Sequence, residues 1–152
     1  MTPSGQIDSN IASGDSPSNA QIGFFLFRVT IGVNMFFHGF MRPFTGLSAW
    51  EQPLAATFVD TYLPMPLVHT VLYSLPFYEM VLGVLLVLGL FTRAAAIGGA
   101  VMMLGLLYGN TAKQDWATVG NNMHYTLYFA GMLALQRFDW LALDNRRAAT
   151  ES

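Results

Sequence analysis

The stretch LVHTVLYSLPFYEMVLGVLLVLGLF, residues 67–91, decides the fold class of this 152-residue chain. It contains one formally charged side chain, Glu79, and most of its other residues are apolar. About 20 consecutive, mostly apolar residues are enough for an α-helix to cross the hydrocarbon core of a bilayer. The stretch is therefore predicted to be a membrane-spanning helix, in which Pro76 either causes a kink or marks where the regular helix begins.

Three further segments have a similar length and character. They lie at residues 22–41, 94–112 and 119–136. The four segments together predict an all-α fold, an integral membrane four-helix bundle that occupies residues 22–136. A soluble bundle is the alternative, but the helices of such a bundle carry a charged face. Only Arg28 and Glu79 are charged in the four segments, and this favours the membrane.

The overall composition excludes several classes of protein. Only 11% of the residues are charged, whereas a soluble domain has about a quarter. The net charge is −2 and no basic run is longer than two residues, so nucleic-acid binding is not expected. The chain has no cysteine, which excludes disulfides, thiolate metal sites and iron–sulfur clusters within it. The bilayer is the predicted partner, and no metal site is predicted.

The two ends of the chain differ from the predicted spans. Residues 1–21 are rich in Ser, Gly, Asn, Asp and Pro and lack Lys and Arg, so we expect a flexible tail rather than a secretory signal. Residues 137–152 form a short C-terminal tail. Four basic residues lie on the side of the membrane that holds both termini and two lie on the other side, so both termini are predicted to be cytoplasmic. The four are Arg93, Arg137, Arg146 and Arg147, and the two are Arg42 and Lys113.

The first loop, residues 42–66, is long enough to contain a short helix at residues 48–62. Ser48 and Glu51 have the spacing of a capping box, which predicts the start of that helix. Apolar and aromatic side chains then recur every fourth residue: Trp50, Leu54, Phe58 and Tyr62. Such a stripe fits a helix in the membrane interface, and it equally fits a lid over the ends of the bundle.

The two charged residues inside the spans need an explanation, because a charge in hydrocarbon costs about 2.5–3.5 kcal/mol. We predict that Arg28 pairs with Glu79 across the first two helices. Each residue has a glycine four positions further on, Gly32 and Gly83, and small residues there would allow the helices to approach closely. The pair is either functional or a structural ion pair that specifies packing.

Polar side chains also gather in the outer half of the predicted bundle. Asn34 and His38 share a face of the first helix, and Asn121, His124 and Tyr128 form a stripe on the fourth. Three interpretations are open. A quinone could be bound by His38, His124 and Asn34, above Arg28 and Glu79; a b-type haem could be ligated by the two histidines, although no other haem signature occurs; or the polar groups only join helices. The third helix carries a stripe of Gly98, Met102, Gly105 and Gly109, which we interpret as a packing face.

Several of these residues fall in motifs of one known family. The motifs are RVTIGVNMFFHGFMR at residues 28–42, YEMVLGVLLVLGLFTRAAA at residues 78–96 and RFDWLALD at residues 137–144. In this order and spacing, the chain resembles the DoxX family of four-helix membrane proteins over residues 22–144. The polar positions of that family fall on Arg28, His38, Glu79 and Arg93 of this chain, and Arg93 equally fits a charged stop at the inner face of the membrane.

The resemblance implies a cellular setting rather than a defined reaction. The family is named after a membrane subunit of an archaeal thiosulfate:quinone oxidoreductase. It therefore implies a quinone-linked redox subunit in a bacterial or archaeal cytoplasmic membrane, which would act with other subunits or further copies of itself. The alternative is a non-catalytic accessory or scaffold subunit that packs against a larger respiratory or photosynthetic complex. No nucleotide, phosphate or hydrolase motif is present, so catalysis by the chain alone is not expected.

Overall fold

The computed structural model describes residues 17–139 and 142–143. Five α-helices and one short 3₁₀ turn make up this part of the chain. They are α1 (Asn19–Phe44), α2 (Leu47–Ala56), α3 (Met65–Leu88), α4 (Thr92–Ala112), α5 (Trp116–Ala134) and the turn Gln136–Phe138. The described part contains no strand, which confirms the all-α fold. We call the end of the bundle that α2 covers the lid end, and the opposite end the Asp139 end.

Three of these helices, α1, α3 and α4, are long and apolar enough to cross a bilayer. This confirms a membrane helical bundle. Helix α5 is 19 residues long and falls outside that set, because polar residues occupy its first half. The fourth span therefore remains a prediction.

Helix α1 begins earlier than expected, at Asn19, because Ser18 caps it. The Ser18 hydroxyl accepts a hydrogen bond from the backbone N–H of Gln21 at 3.3 Å, and the Gln21 side chain accepts one from the Ser18 N–H at 2.7 Å. This reciprocal capping box satisfies two of the free donors at the helix start. The last residues of the predicted tail are thus helical, while residues 1–16 and most of 140–152 lie outside the described part.

Glycines bring α1 and α3 into close contact, as predicted. A Cβ atom on Gly32 would lie 2.9 Å from the backbone nitrogen of Val87, and one on Gly83 would lie 2.7 Å from the carbonyl oxygen of Gly32. Gly39 makes a further close approach, since a Cβ there would overlap the carbonyl oxygen of Pro76. Small residues at these points let the two backbones touch.

Helices α4 and α5 form the second tightly packed pair. The close contact is at Gly99, where an added Cβ would overlap the Phe129 ring. The predicted packing stripe on α4 lies beside it and is only partly a packing face. A Cβ on Gly98 would meet the Tyr78 hydroxyl at 2.7 Å, but one on Gly105 would meet nothing within 4 Å.

Helix α2 lies over the bundle as a lid. Its Ala55 and the following Phe58 are buried and pack against Val68 and Leu72 of α3. Helix α2 therefore packs over one end of the bundle, as the lid interpretation of the first loop predicts. The helix is shorter than the predicted 48–62, and the predicted capping box is not formed. Gly46 (φ +95°) precedes the helix without a side-chain cap, and Glu51 is instead buried beneath the lid.

Candidate functional site

The predicted ion pair between Arg28 and Glu79 is not formed, because α1 and α3 are staggered. Gly32 faces Gly83 and Val87, and Gly39 faces Pro76 and Met80. This antiparallel register places Arg28 level with Gly89 and Glu79 level with His38. The two charges are therefore ten residues apart along α1, or ~15 Å at the rise of an α-helix. Each of them has a different partner.

Arg28 is paired at the Asp139 end of the bundle. Its Nε atom lies 3.2 Å from Oδ1 of Asp139, and the two side chains are 1% and 6% exposed. The guanidinium also donates a hydrogen bond to the carbonyl oxygen of Leu86. Gly89, which ends α3 in a left-handed conformation (φ +67°), lies directly against the same guanidinium. Asp139 belongs to the RFDWLALD motif, and so that motif closes this end of the bundle.

Glu79 is paired at the lid end with Arg42, the last basic residue of α1. The carboxylate is 4% exposed and the guanidinium 19% exposed. The guanidinium carbon also lies 4.5 Å from the centre of the Trp50 ring on α2, at a cation–π distance. Arg42 thus connects α1, α3 and the lid. Sequence analysis placed it in the loop, although it lies four residues after His38 on the same helix face.

A cavity of about 680 Å³ lies beneath the lid, between the two helix pairs. Its walls are mostly apolar and come from α1 to α5. Polar side chains enter it from several sides: His38, Arg42, Glu79, Asn110, Asn122 and Tyr125. Of the residues predicted for a polar pocket in this half of the bundle, His38 and Glu79 line this cavity, whereas Asn34, Arg28 and His124 do not.

Asn122 provides the most informative polar group in this cavity. The residue is 7% exposed, and its Nδ2 atom is buried without a hydrogen-bond partner among the described residues. Neighbouring Tyr125 is fixed from outside the cavity, because the Asn34 amide donates to its hydroxyl at 2.7 Å. Asn34 is thus a positioning residue behind the wall and does not line the cavity. Buried amide donors are rarely left unsatisfied in proteins.

The face of α5 that enters the bundle is not the predicted one. Val119, Asn122, Phe129 and Met132 are its buried residues. His124 and Tyr128 are exposed and lie outside the cavity, whereas Asn121 is exposed but lines the cavity. His124 does not line the cavity, so the structure does not bring it together with His38 there. The apolar spacing of Val119, Phe129 and Met132 is the signal that identifies the buried face.

His38 lines the cavity from α1, but it is more exposed than the groups around it. Its depth matches that of Glu79, as the register of α1 and α3 requires. Arg28 lies at the opposite end of the bundle and outside the cavity. Arg93 is exposed at the start of α4. Of the family's four polar positions, His38 and Glu79 alone line this cavity.

The lid is attached to the bundle through a second buried carboxylate. Glu51 of α2 is 1% exposed and shares a hydrogen bond with Nδ1 of the half-exposed His69 on α3. Neither residue lines the cavity. The sequence did not predict this contact, because the spacing of Ser48 and Glu51 indicated a capping box instead. Together with the Arg42–Trp50 contact, it fixes α2 at two points.

The turn between α4 and α5 forms another part of the cavity rim. Lys113 lies 3.4 Å from the Asp115 carboxylate and 5.2 Å from the centre of the Phe58 ring. The hydroxyl of Thr118 donates to Asp115 at 2.7 Å and its backbone N–H donates at 3.2 Å. These two hydrogen bonds, assisted by the charge of Lys113, hold the pKa of Asp115 below its usual range. Asp115 is thereby the N-cap of α5.

The chain is similar to a known protein family. The DoxX family matches residues 23–110, which is more than half of the chain. The chain belongs to the DoxX family. The matched region runs from α1 into the last turn of α4 and includes His38, Arg42 and Glu79. Searches of curated proteins and of solved structures found no significant match.

The matched region ends before α5 of this DoxX protein. Two groups that line its cavity, Asn122 and Tyr125, therefore come from outside the match, and so does Asp139 at the opposite end of the bundle. The lid α2 and the pair of Arg42 with Glu79 lie inside it. The cavity thus combines a wall from the family region with a wall from α5.

Proposed function

We propose that this DoxX protein is the membrane subunit of a quinone-linked redox complex, and that the cavity beneath α2 binds the quinone headgroup. The observation that carries the proposal is Asn122, which lines a large, mostly apolar cavity and whose buried amide nitrogen has no hydrogen-bond partner among the described residues. A quinone ring is flat and apolar, with carbonyl oxygens that accept hydrogen bonds. It would satisfy the Asn122 donor, which otherwise costs about 1–3 kcal/mol.

The size and the opposite wall of the cavity fit the same ligand. Its volume of about 680 Å³ is within the usual ligand-pocket range of roughly 300–1,000 Å³. The His38 imidazole on α1 is available as a second hydrogen-bond donor, across the cavity from α5. Tyr125, held by Asn34, offers an aromatic ring beside the headgroup.

A bound quinone would accept two electrons and two protons. The chain contains no cysteine and no nucleotide motif, so the electrons would come from a donor group on a partner subunit. Two of its own groups at the cavity wall can carry protons, the His38 imidazole and the Glu79 carboxyl. Arg42 would hold Glu79 in place and compensate the charge of its carboxylate in the low-dielectric interior.

Arg28 has a structural role in this proposal. It lies at the Asp139 end, outside the cavity, and is saturated by Asp139 and the Leu86 carbonyl. His124 is also left out of the quinone site, because it is exposed on α5. We further propose that the lid end faces away from the cytoplasm, since Arg93 and Arg137 lie near the other end.

Quinone extracted from the purified protein tests the proposal. Wild-type protein in mild detergent should carry quinone in proportion to chain, and Asn122→Leu should lose most of it because the amide donor is gone. His38→Ala should also reduce the content. His124→Ala is the matched control and should retain it, since this histidine does not line the cavity. A wild-type protein that contains no quinone and titrates none would contradict the proposal.

A second function, an accessory subunit of a larger membrane complex, is favoured by the outer face of α5. His124 is exposed there, next to Trp116 and Leu127, which are 65% and 67% exposed. Polar side chains are costly against lipid and usually face protein. Native mass analysis after gentle purification should show a partner that His124→Leu weakens. An isolated chain with turnover of its own would refute this role.

A further inference from the structure

A second, apolar space lies on the outside of the bundle between α3 and α4. It is a groove of about 530 Å³ whose walls are almost entirely hydrocarbon. Its lining residues include Phe77, Tyr78 and Val81 of α3 and Val101 and Met102 of α4. Phe77, Val81 and Val101 are each more than half exposed, and so the groove opens toward the lipid.

The groove and the cavity beneath the lid share part of their lining. Val71, Leu75, Gly105 and Leu106 line both spaces. These residues are the wall between the polar cavity and the lipid-facing groove. None of the four carries a charge or a hydrogen-bonding side chain, so nothing polar obstructs a hydrocarbon chain at this point.

Gly105 is a loosely packed position in that wall. A Cβ at this position would meet nothing within 4 Å, although the neighbouring glycine on the same stripe, Gly98, is in tight contact with the Tyr78 hydroxyl. The two helices therefore close at Gly98 and separate toward Gly105. A gap between helices at this depth, without a side chain to fill it, is an opening rather than a packing contact.

We propose that the gap at Gly105 is a lateral entrance, through which a membrane-dissolved quinone reaches the cavity and in which its hydrocarbon tail remains. This inference rests on the proposed function, since it takes the headgroup to be bound near Asn122. The polar groups lie in the cavity and the purely apolar surface lies in the groove, which matches a molecule with a polar head and an apolar tail. The groove is open to the lipid, where such a molecule is dissolved.

The entrance predicts a difference between tailed and tail-less quinones. A tailed quinone must pass Leu75 and Leu106 from the lipid, whereas a small, water-soluble quinone can also enter past the lid. Gly105→Phe places a ring in the gap and should slow association of a tailed quinone roughly tenfold or more, because it narrows the access path. Association of the tail-less quinone should slow much less, because it can also enter past the lid.

The experiment compares Gly105→Phe with Gly23→Phe in liposomes. Gly23 lies in α1, where an added Cβ also meets nothing within 4 Å, and it lines neither space. The smaller Gly105→Leu provides a second variant if the phenylalanine destabilises the bundle. Equal thermal unfolding temperatures of the variants, measured in the same detergent, establish that the fold is intact.

The possible results separate this inference from the proposed function. A slowing of the tailed quinone that is several times larger than that of the tail-less quinone supports the lateral entrance. Equal loss of both quinones, or no change in either, overturns the entrance while the quinone site stands; the second result is expected if a phospholipid chain alone fills the groove. Failure of wild-type protein to bind either quinone overturns the proposed function, and the entrance with it.

Discussion

Arg28 on α1 and Asp139 after the end of α5 form a buried ion pair, with 3.2 Å between Nε of the arginine and Oδ1 of the aspartate. The pair joins the first helix of the bundle to the segment that follows the last one. A buried charge is tolerated only when its partner and its hydrogen bonds are in place. The motif at the end of the chain is therefore a structural part of the bundle.

Replacing Asp139 should strongly destabilise the protein. Asp139→Ala leaves a buried guanidinium without its carboxylate, which costs about 3–5 kcal/mol. Asp60→Ala is the matched control, because Asp60 is exposed in the loop after α2, and its cost should be within about 0.5 kcal/mol. Equilibrium unfolding in mixed micelles measures both values.

The double variant Arg28→Met/Asp139→Leu distinguishes an ion pair from general packing. It removes both charges at once and should recover much of the stability that Asp139→Ala loses, since buried pairs are often replaceable by apolar residues. A double variant that is less stable than Asp139→Ala would contradict this account of the Asp139 end.

The partner of Arg28 could not be predicted from the sequence. The sequence indicates that a charge within a span needs a partner, and Gly32 and Gly83 correctly indicate which helices touch. It does not give the relative stagger of two helices, because many registers bury the same apolar faces. The stagger of α1 and α3 is set by backbone contacts at Gly39 and Pro76, and it assigns Glu79 to Arg42 instead.

The close contact of α1 with α3 predicts unequal effects of alanine at two glycines. A Cβ on Gly39 would overlap the Pro76 carbonyl, so Gly39→Ala should destabilise the bundle by about 1–3 kcal/mol as overpacking. Gly23→Ala meets open space and should be neutral or slightly stabilising. Thermal unfolding in detergent compares the two, and equal losses at both positions would argue against the backbone contact.

The lid should loosen when Glu51 is replaced. Glu51→Ala removes the buried carboxylate that holds His69, and a hydrogen bond involving a charged group contributes about 1.5–3 kcal/mol. The backbone amide hydrogens of Leu47–Ala56 should then exchange with solvent at least ten times faster, because a loss of about 1.4 kcal/mol in the stability of the helix corresponds to a tenfold faster exchange. Glu51→Gln should have a smaller effect. Unchanged exchange in this helix would mean that α2 is held by other contacts.

The N-cap of α5 should depend on pH. The pKa of Asp115 lies below its usual range because Thr118 donates two hydrogen bonds to the ionised carboxylate. The cap therefore stabilises α5 above the usual pKa of an aspartate, and this contribution is lost as pH falls through the lowered value. Thr118→Val removes the hydroxyl donor and should raise the pKa of Asp115. Carboxyl NMR titration checks this, and an unchanged pKa would contradict the assignment.

The candidate site was only partly predictable for a similar reason. The sequence singles out His38 and Glu79 because polar groups within spans are rare, and both line the cavity. The polar stripe of α5 was less informative, because Asn121 lines the cavity but His124 and Tyr128 lie on a face that the structure exposes. Asn122 and Tyr125 each follow one of those residues by a single position. They therefore lie on the face of α5 that also carries the buried Phe129 and Met132. Apolar periodicity decides which face is buried, and polar spacing does not.

Trp50 offers the most direct test of the central claim that a quinone headgroup lies beneath the lid near Asn122. Its ring lines the cavity, and quinones quench tryptophan fluorescence on contact. The chain has three tryptophans, and the variant Trp116→Phe/Trp140→Phe retains only Trp50. A tail-less quinone is then titrated into this protein in micelles, with and without Asn122→Leu.

Saturable quenching of Trp50 that Asn122→Leu weakens at least tenfold, or about 1.4 kcal/mol, is the result that this account predicts. The value follows from the loss of one buried hydrogen bond. Linear, non-saturating quenching that is the same in both proteins would contradict it, because the quinone would then only collide with an accessible ring.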